Sequence, residues 1–342
     1  MERADKAALR LAIGVGVAVL VSYGLALPLP FVPCVLTVLL LCKPGPPIPF
    51  VKGAVLALVV AALLVAGVLM VPVLKHYAAT GVLLTGALLY AVFFAGARQA
   101  NPLTIILVIA ITVIPVAGVA DQALTTVLSV AFGVGLGTGV LVSGISHVFF
   151  PDPPAPADAV SAAAIVSPAA ARWAALQATV VVMPVFVLAL SNPAFYLAAI
   201  IKTVTLGQQA GSTNARSAGR ELVGSTLMGA WMAALVWAGL SMRPNLWMLM
   251  LWIVAATLWA GAKLFGVRRT SFPPSFWSNA LVTMFILLGP AIEDAAVGKD
   301  VYAASATRVA LFVAVALYAW ATVWVLERWR ESRPNALAFR RT

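Results

Sequence analysis

Residues 151–168 read PDPPAPADAVSAAAIVSP, and this proline- and alanine-rich stretch separates two hydrophobic halves of similar length. On both sides of it the chain consists of long runs of Leu, Val and Ala. Hydrophobic residues make up 63% of the 342 positions and charged residues only 10%. So few polar groups cannot cover the surface of a domain folded in water. The composition therefore indicates a protein embedded in a membrane.

The apolar runs predict helices, because a segment of about 20 residues crosses a bilayer as a helix that satisfies its own backbone hydrogen bonds. The first half contains six such runs, at 8–27, 31–42, 51–74, 79–97, 102–119 and 122–149. The second half contains another six, at 173–190, 193–206, 219–241, 245–265, 275–292 and 302–327. We therefore predict an all-helical polytopic membrane protein with about twelve transmembrane helices.

The two halves share short motifs at nearly constant separation, which predicts an internal repeat. The matching pairs are 162, 163 and 165 residues apart: Arg10 and Arg172, Pro30 and Pro193, Gly96 and Gly261. We predict a first six-helix repeat at 1–150 and a second at 172–330. A cytoplasmic linker at 151–171 joins them, and a basic cytoplasmic tail follows at 331–342.

The distribution of Lys and Arg predicts the orientation, since basic residues gather in cytoplasmic loops. With the N-terminus inside, all but four of the 22 basic residues fall on the cytoplasmic side. Both termini are then cytoplasmic, and we expect a bacterial inner membrane. Six crossings per half make the repeats parallel; if the short second segments re-enter instead, each half has five crossings and the repeats are inverted.

The second segment of each half, 31–42 and 193–206, is too short to cross about 30 Å of hydrocarbon as a helix. Short segments bounded by Pro and Gly at matching places in two repeats point to the binding site of a transporter. Lys202 lies in one of them, and Arg216 and Arg220 share a face of the next helix. A charge at membrane depth normally faces a cavity or a partner, so these cations predict an anion site. The alternative is that Lys202 reaches the inner interface and Arg220 pairs with Glu221 or lipid.

Further residues extend this candidate site. Phe195 and Tyr196 lie close to Lys202, so that rings and cation together suit an aromatic carboxylate. Arg308 in the last helix and Arg98 at the end of the fourth are further candidate contacts, although Arg98 also fits an ordinary inner-side anchor. The outer side carries four carboxylates that are either proton carriers or solvated loop residues: Asp121, Asp300, Glu293 and Asp294.

Other functions have weaker support in the sequence. No G-x-x-x-x-G-K-[ST] motif is present, so ATP hydrolysis is not expected and energy would come from an ion gradient. Cys34 and Cys42 are expected to be buried and unpaired, and we expect no metal or other cofactor. His147 and Asp152 have the H-x-x-x-x-D spacing of membrane acyltransferases, which leaves an enzyme as the minor alternative. The net charge of +11 is dispersed, which favours anionic lipids over nucleic acid as a partner.

Four stretches carry a resemblance to a known family: Arg10 in the first span, Pro30 to Thr37, Asn192-Pro193-Ala194-Phe195-Tyr196, and Arg220 followed by Gly224, Ser225 and Gly229. Together they resemble the fusaric acid resistance and aromatic acid exporter family of bacterial inner membranes. The resemblance implies a membrane-only member that exports aromatic carboxylic acids. It also implies a periplasmic adaptor of the membrane fusion type and an outer-membrane channel as partners, and leaves a homo-oligomer open. Plant aluminium-activated malate transporters are distantly similar, which keeps a passive anion channel as the alternative.

Overall fold

The computed structural model describes residues 3–42, 50–99, 104–151, 167–211 and 215–332, and these are helical throughout apart from short turns. The first six helices are α1 Arg3–Gly24, α2 Phe31–Leu41, α3 Phe50–His76, α4 Ala78–Gln99, α5 Thr104–Ala120 and α6 Gln122–Phe149. The next three are α7 Pro168–Ser191, α8 Pro193–Ala210 and α9, which runs through Ala215–Ala218, a π-helical stretch Gly219–Val223, and Gly224–Met242. The last three are α10 Leu246–Leu264, α11 Pro274–Ala296 and α12 Val301–Glu331.

The predicted helices are confirmed, and most ends fall within a few residues of the predicted ones. The largest shifts are at α1 and α7, which begin five residues earlier than expected. At α7 the reason is local: Ser167 accepts a hydrogen bond from the backbone N–H of Ala170, and Pro168 occupies the first helical position. Both are favourable at a helix start, so the proline-rich stretch ends inside the first turn of α7.

In the described part of the chain, nine helices are long and apolar enough to cross a membrane. Two further apolar helices are shorter, α2 with 11 residues and α5 with 17. The 18 residues of α8 include Lys202, Gln208 and Gln209, and α8 is not one of these nine helices. The protein is a multi-pass membrane protein.

The second helix of each half is predicted to be short and broken. This is right for the length of α2, 11 residues, while the break expected at residues 43–47 lies outside the described residues; for α8 the prediction is wrong. The residues after position 206, expected to break the second segment, continue the helix to Ala210. Gly207 lies against α7, where a Cβ atom would come within 2.9 Å of Val182 Cγ2 and 3.1 Å of Ala178 O. The glycine therefore allows two helices to approach each other and does not end one.

The helices form one bundle with α5 and α11 in its interior. Within the first half, α1 packs on α2 and α6, α2 on α6, α3 on α4, α5 and α6, and α5 on α4 and α6. Each of these contacts recurs six helices later in the second half. The halves meet where α1 packs on α10 and α4 on α7, and where α2 packs on α11 and α5 on α8. The helix α8 also packs on α11, more extensively than α2 packs on α5 over the described residues.

Candidate functional site

Lys202 lies in the middle of α8, and its side chain is completely buried, with 0% of its surface exposed. The ammonium Nζ donates hydrogen bonds to Asn279 Oδ1 at 3.1 Å and to Thr283 Oγ1 at 2.7 Å. These two acceptors are four residues apart on α11, so both face α8 from successive turns. The aliphatic part of Lys202 therefore leads its charge into the interior of the bundle.

A network of polar side chains surrounds this ammonium. Asn279 Oδ1 also accepts a bond from Thr205 of α8 at 3.2 Å, and Asn279 Nδ2 donates to Ser225 Oγ of α9 at 2.6 Å. The hydroxyls of Thr283 and Ser225 donate to backbone carbonyls, to Asn279 O at 2.6 Å and to Leu222 O at 3.2 Å. The single hydroxyl proton of Thr205 is shared between Asn279 Oδ1 and the closer Lys202 O, at 2.7 Å. Three helices thus meet through buried hydrogen bonds.

The partners of Lys202 are all neutral. Among the residues that the structure describes, no carboxylate lies within ion-pair distance of Nζ. Removing an ammonium from water without a counter-ion costs several kcal/mol even after the surroundings relax. A buried ionisable side chain of this kind in a membrane bundle normally marks a binding site or an ion path.

Close contact between α9 and α11 holds the network together. A Cβ atom on Gly229 would lie 2.5 Å from Thr283 Cβ and 2.6 Å from Ala280 O, so only glycine allows this approach. Ser225 lies one turn before Gly229 and can therefore reach Asn279. The π-helical stretch Gly219–Val223 ends just before Ser225, and π-helical turns are frequent at functional sites.

Of the two predicted arginines of α9, Arg220 does not join this network. The exposed side chain of Arg220 donates from Nη2 to Ser271 Oγ at 2.8 Å and lies 4.5 Å from the centroid of the Phe272 ring. It is therefore drawn to the loop between α10 and α11, whereas Lys202 lies in the interior. The side chain of Arg216 lies outside the described residues.

The predicted aromatic contacts lie at the beginning of α8. Phe195 and Tyr196 form an edge-to-face pair with centroids 4.8 Å apart, and Phe195 is 46% exposed. Asn192 caps this helix by accepting a bond from the backbone N–H of Phe195 at 3.3 Å. Phe195 precedes Lys202 by seven residues, which is about 10 Å along the helix axis. The rings thus lie between the helix end and the buried cation.

Arg308 has a charged partner of its own. Its Nη2 lies 2.6 Å from Asp294 Oδ2 at the end of α11, and the exposed Lys299 approaches the other oxygen at 3.9 Å. Asp294 is separated from Thr283 by about 16 Å along α11. Glu293, half-buried, adjoins this ion pair. The described contacts thus form an acidic and basic cluster at the far end of the helix from Asn279.

Asp121 and Asp300, predicted as proton carriers, have equivalent structural roles. Asp121 caps α6 by accepting a bond from the backbone N–H of Ala123 at 3.0 Å. Asp300 caps α12 by accepting bonds from Tyr302 and Ala303 at 3.0 and 3.1 Å. Both side chains are exposed, and an anionic cap is favourable at a helix N-terminus.

Arg98 is exposed at the end of α4, with its guanidinium 5.9 Å from the centroid of the Phe94 ring. Lys263 ends α10 in the same way, with Nζ 3.9 Å from the Trp259 centroid and 4.6 Å from that of Trp277. Cations at helix C-termini are favourable, so both positions fit anchors at the membrane surface.

The expectation that Cys34 and Cys42 are buried is confirmed. Within the described ranges, no three His, Cys, Asp or Glu side chains lie together as a metal site would require. His147 Nδ1 is 2.7 Å from Ser143 O within α6. Asp152, the other member of the possible acyltransferase pair, lies outside the described residues.

One family matches part of the chain. Residues 7–146 match a family described as a protein of unknown function, DUF2955. The match covers less than half of the chain, from α1 into α6, so that Lys202 and its partners lie beyond it. No curated protein and no solved structure matches.

Sequence reasoning identified Lys202 but missed the side chains that hold it. Asn279 and Thr283 are polar residues four apart within the most deeply buried of the nine long apolar helices. Their spacing places them on one helix face, and this was the available signal. Thr205 and Ser225 gave no such signal in the sequence. Single hydroxyl residues are common in membrane helices, where they bond to the backbone of their own helix.

Proposed function

We propose that this protein exports organic anions, aromatic carboxylic acids in particular, across a bacterial inner membrane, using an ion gradient such as that of protons and not ATP. The observation that carries the proposal is the buried ammonium of Lys202, which has only neutral oxygens as partners. An anion arriving at this position would supply the missing counter-charge. An apolar ring on the anion would suit the surrounding helices.

The main alternative is that the side chain of Lys202 only extends to the membrane surface and binds no ligand. Its contacts argue against this role, because Nζ is bonded to two residues of the interior helix α11. A purely structural position would be filled at lower cost by an apolar side chain of similar length, since burying a polar group is unfavourable. The charge is therefore better explained by a ligand.

The proposed architecture is two parallel six-helix repeats with both termini in the cytoplasm. Lys6 at the start of α1 donates to Pro151 O after α6 at 3.0 Å. Arg330 at the end of α12 lies 5.4 Å from the centroid of Trp173 at the start of α7. Five crossings per half would separate the partners of each contact by the membrane. Six crossings, with α2 and α8 included, keep them on one side.

The remaining predicted residues would act at the cytoplasmic end and at the opposite end of the route that the anion takes across the membrane. Arg98 and Arg220 are exposed on the proposed cytoplasmic side and would raise the local concentration of anions. On the opposite side, Arg308 with Glu293 and Asp294 forms the cluster where an outgoing anion and an incoming proton would meet. Asp121 and Asp300 are needed as helix caps, which makes them weaker candidates for carrying protons.

The test is transport of benzoate into proteoliposomes that contain the purified protein. Lys202→Met keeps the length of the side chain and removes its charge, so we expect transport to fall to the level of empty liposomes. Lys75→Met, at an exposed position near the end of α3, is the matched control and should transport normally. Unchanged transport by Lys202→Met would refute the proposal. Transport by the intact protein that does not respond to an imposed pH gradient would favour a passive channel.

A further inference from the structure

We infer, building on the proposed function, that the site around Lys202 accepts only monoanions that carry one carboxylate on an apolar body. Dicarboxylates and phosphate would be refused. Three features support this inference: the number of free hydrogen-bond donors, the number of positive charges, and the apolar side chains beside the lysine.

The number of donors follows from the hydrogen bonds. An ammonium group has three N–H donors and no acceptor. Two of those of Lys202 are used by Asn279 and Thr283, which leaves one for a ligand. The hydroxyl groups of Thr205, Thr283 and Ser225 donate to backbone carbonyls and so offer a ligand no proton. Asn279 Nδ2 uses one of its two N–H donors on Ser225. One charged donor and one neutral N–H therefore remain at the centre of the site, enough to hold the two oxygens of a single carboxylate group.

The number of charges leads to the same limit. Lys202 is the single cation in this network among the described residues. Arg220 is turned to Ser271 and Phe272, and Arg308 is neutralised by Asp294. A ligand with one negative charge makes the occupied site neutral. A second carboxylate would lose its water without gaining a partner, and leaving such a charge unpaired is strongly unfavourable.

An apolar hollow borders the helix face next to that of Lys202. Ile201, the preceding residue, lines this narrow hollow between α2, α5, α6 and α8, and no polar side chain lines it. Leu36, Ile109 and Phe132 come from the first half and face Ile201 from the second. The body of a ligand between the halves would meet these side chains. A ring or hydrocarbon fits them, whereas a second polar group finds no hydrogen-bond partner.

The experiment measures competition for the transport of radiolabelled benzoate by the intact protein in proteoliposomes. The competitors are unlabelled benzoate, phthalate and inorganic phosphate, at a pH at which both carboxylates of phthalate are ionised. We expect phthalate to compete at least about a hundredfold more weakly than benzoate, because a site that leaves a buried polar group unpaired discriminates strongly. Phosphate should not compete measurably.

The possible results separate this inference from the proposal on which it rests. Equal competition by phthalate and benzoate, with transport that Lys202→Met abolishes, would overturn the restriction to monoanions and leave the anion site in place. Stronger competition by phthalate would also overturn it, and would indicate that a second cation such as Arg216 reaches the ligand. Transport of benzoate that survives in Lys202→Met would instead contradict the proposed function.

Discussion

At the scale of single residues, the charge of Lys202 is not neutralised, because neither of its hydrogen-bond partners carries a negative charge. Asn279 and Thr283 orient the ammonium without neutralising it, whereas Arg308 meets the carboxylate of Asp294 directly. The sequence identifies Lys202 because a charge interrupts an apolar run. It cannot identify which oxygens surround the charge, because those come from α11, 77 and 81 residues away along the chain.

Asn279→Asp should strongly reduce transport while preserving the fold. The new carboxylate would occupy the position of the amide, 3.1 Å from Nζ, and become a permanent counter-ion that a substrate must displace. We expect benzoate transport to fall at least about tenfold, because close opposite charges attract strongly in a buried site. Because the Asn279 N–H is lost, Ser225 can turn its hydroxyl proton from Leu222 O to the new carboxylate, so thermal unfolding should change little.

The matched control is Asn245→Asp. Asn245 caps α10 by accepting a bond from the backbone N–H of Met248 at 2.7 Å, and Asp caps a helix equally well. The same chemical change should therefore leave transport normal. Full activity of Asn279→Asp would mean that the charge of Lys202 is not what binds the substrate.

Arg308 and Lys299 both contact the carboxylate of Asp294, so the effects of removing each cation on stability can be compared. Arg308→Met removes the 2.6 Å partner from a side chain that is only 10% exposed, and should lower the free energy of unfolding by about 1–3 kcal/mol. Lys299→Met removes a 3.9 Å partner that is 70% exposed, and should cost less than about 0.5 kcal/mol. Denaturation of the purified variants measures both, and equal losses would contradict the account.

At the scale of helices, some glycines allow two helices to pack closely and others have free space beside them. The sequence alone does not distinguish the two kinds. Helix bounds were predictable because apolar runs, prolines and capping residues act locally. The role of Gly207 was not predictable. A glycine can end a helix or allow a close contact between helices, and which of the two applies depends on the neighbouring elements. Along α6, Gly135 and Gly139 face α2, whereas Gly133 and Gly137 have no atom within 4 Å of an added Cβ.

Gly229→Ala should therefore be costly, while Gly137→Ala should be tolerated. An added methyl group at position 229 meets Thr283 Cβ at 2.5 Å and pushes α9 from α11, for a loss of about 1–3 kcal/mol. The same change at Gly137 has free space and should gain up to about 1 kcal/mol of helix propensity. Thermal unfolding measures stability, and benzoate transport should fall only in Gly229→Ala. A stable and active Gly229→Ala protein would contradict the role of this contact.

At the scale of the whole molecule, the two halves share a contact pattern but not a site. On the pairing given by Pro30 and Pro193, Leu39 of α2 stands where Lys202 stands in α8. The proposed repeat therefore explains the bundle, and the difference between its halves explains why one polar network lies off-centre. The sequence predicts a repeat, which stays a proposal, and it identifies the lysine. It could not predict that Arg220 and Arg308 contact other residues, because side-chain partners depend on tertiary packing.

Labelling of single cysteines tests the proposed orientation. Val267, after α10, is expected in the cytoplasm, and Val297, after α11, on the opposite side; both are exposed. In a protein without Cys34 and Cys42, a membrane-impermeant maleimide should label Val297→Cys in intact cells and Val267→Cys only in inverted vesicles. Labelling of both from one side would contradict the crossing of α11. The opposite result, with Val267→Cys labelled in intact cells and Val297→Cys only in inverted vesicles, would show that the orientation is the reverse of the proposed one.

The central claim is that the buried ammonium of Lys202 binds the carboxylate of a transported anion. The most direct measurement is a structure of the protein with bound 4-iodobenzoate, in which anomalous scattering locates the iodine. The account predicts the carboxylate beside Lys202 Nζ and the iodine among the apolar side chains between the halves. Iodobenzoate bound only at Arg220 or Arg308, with Lys202 still surrounded by protein alone, would contradict it.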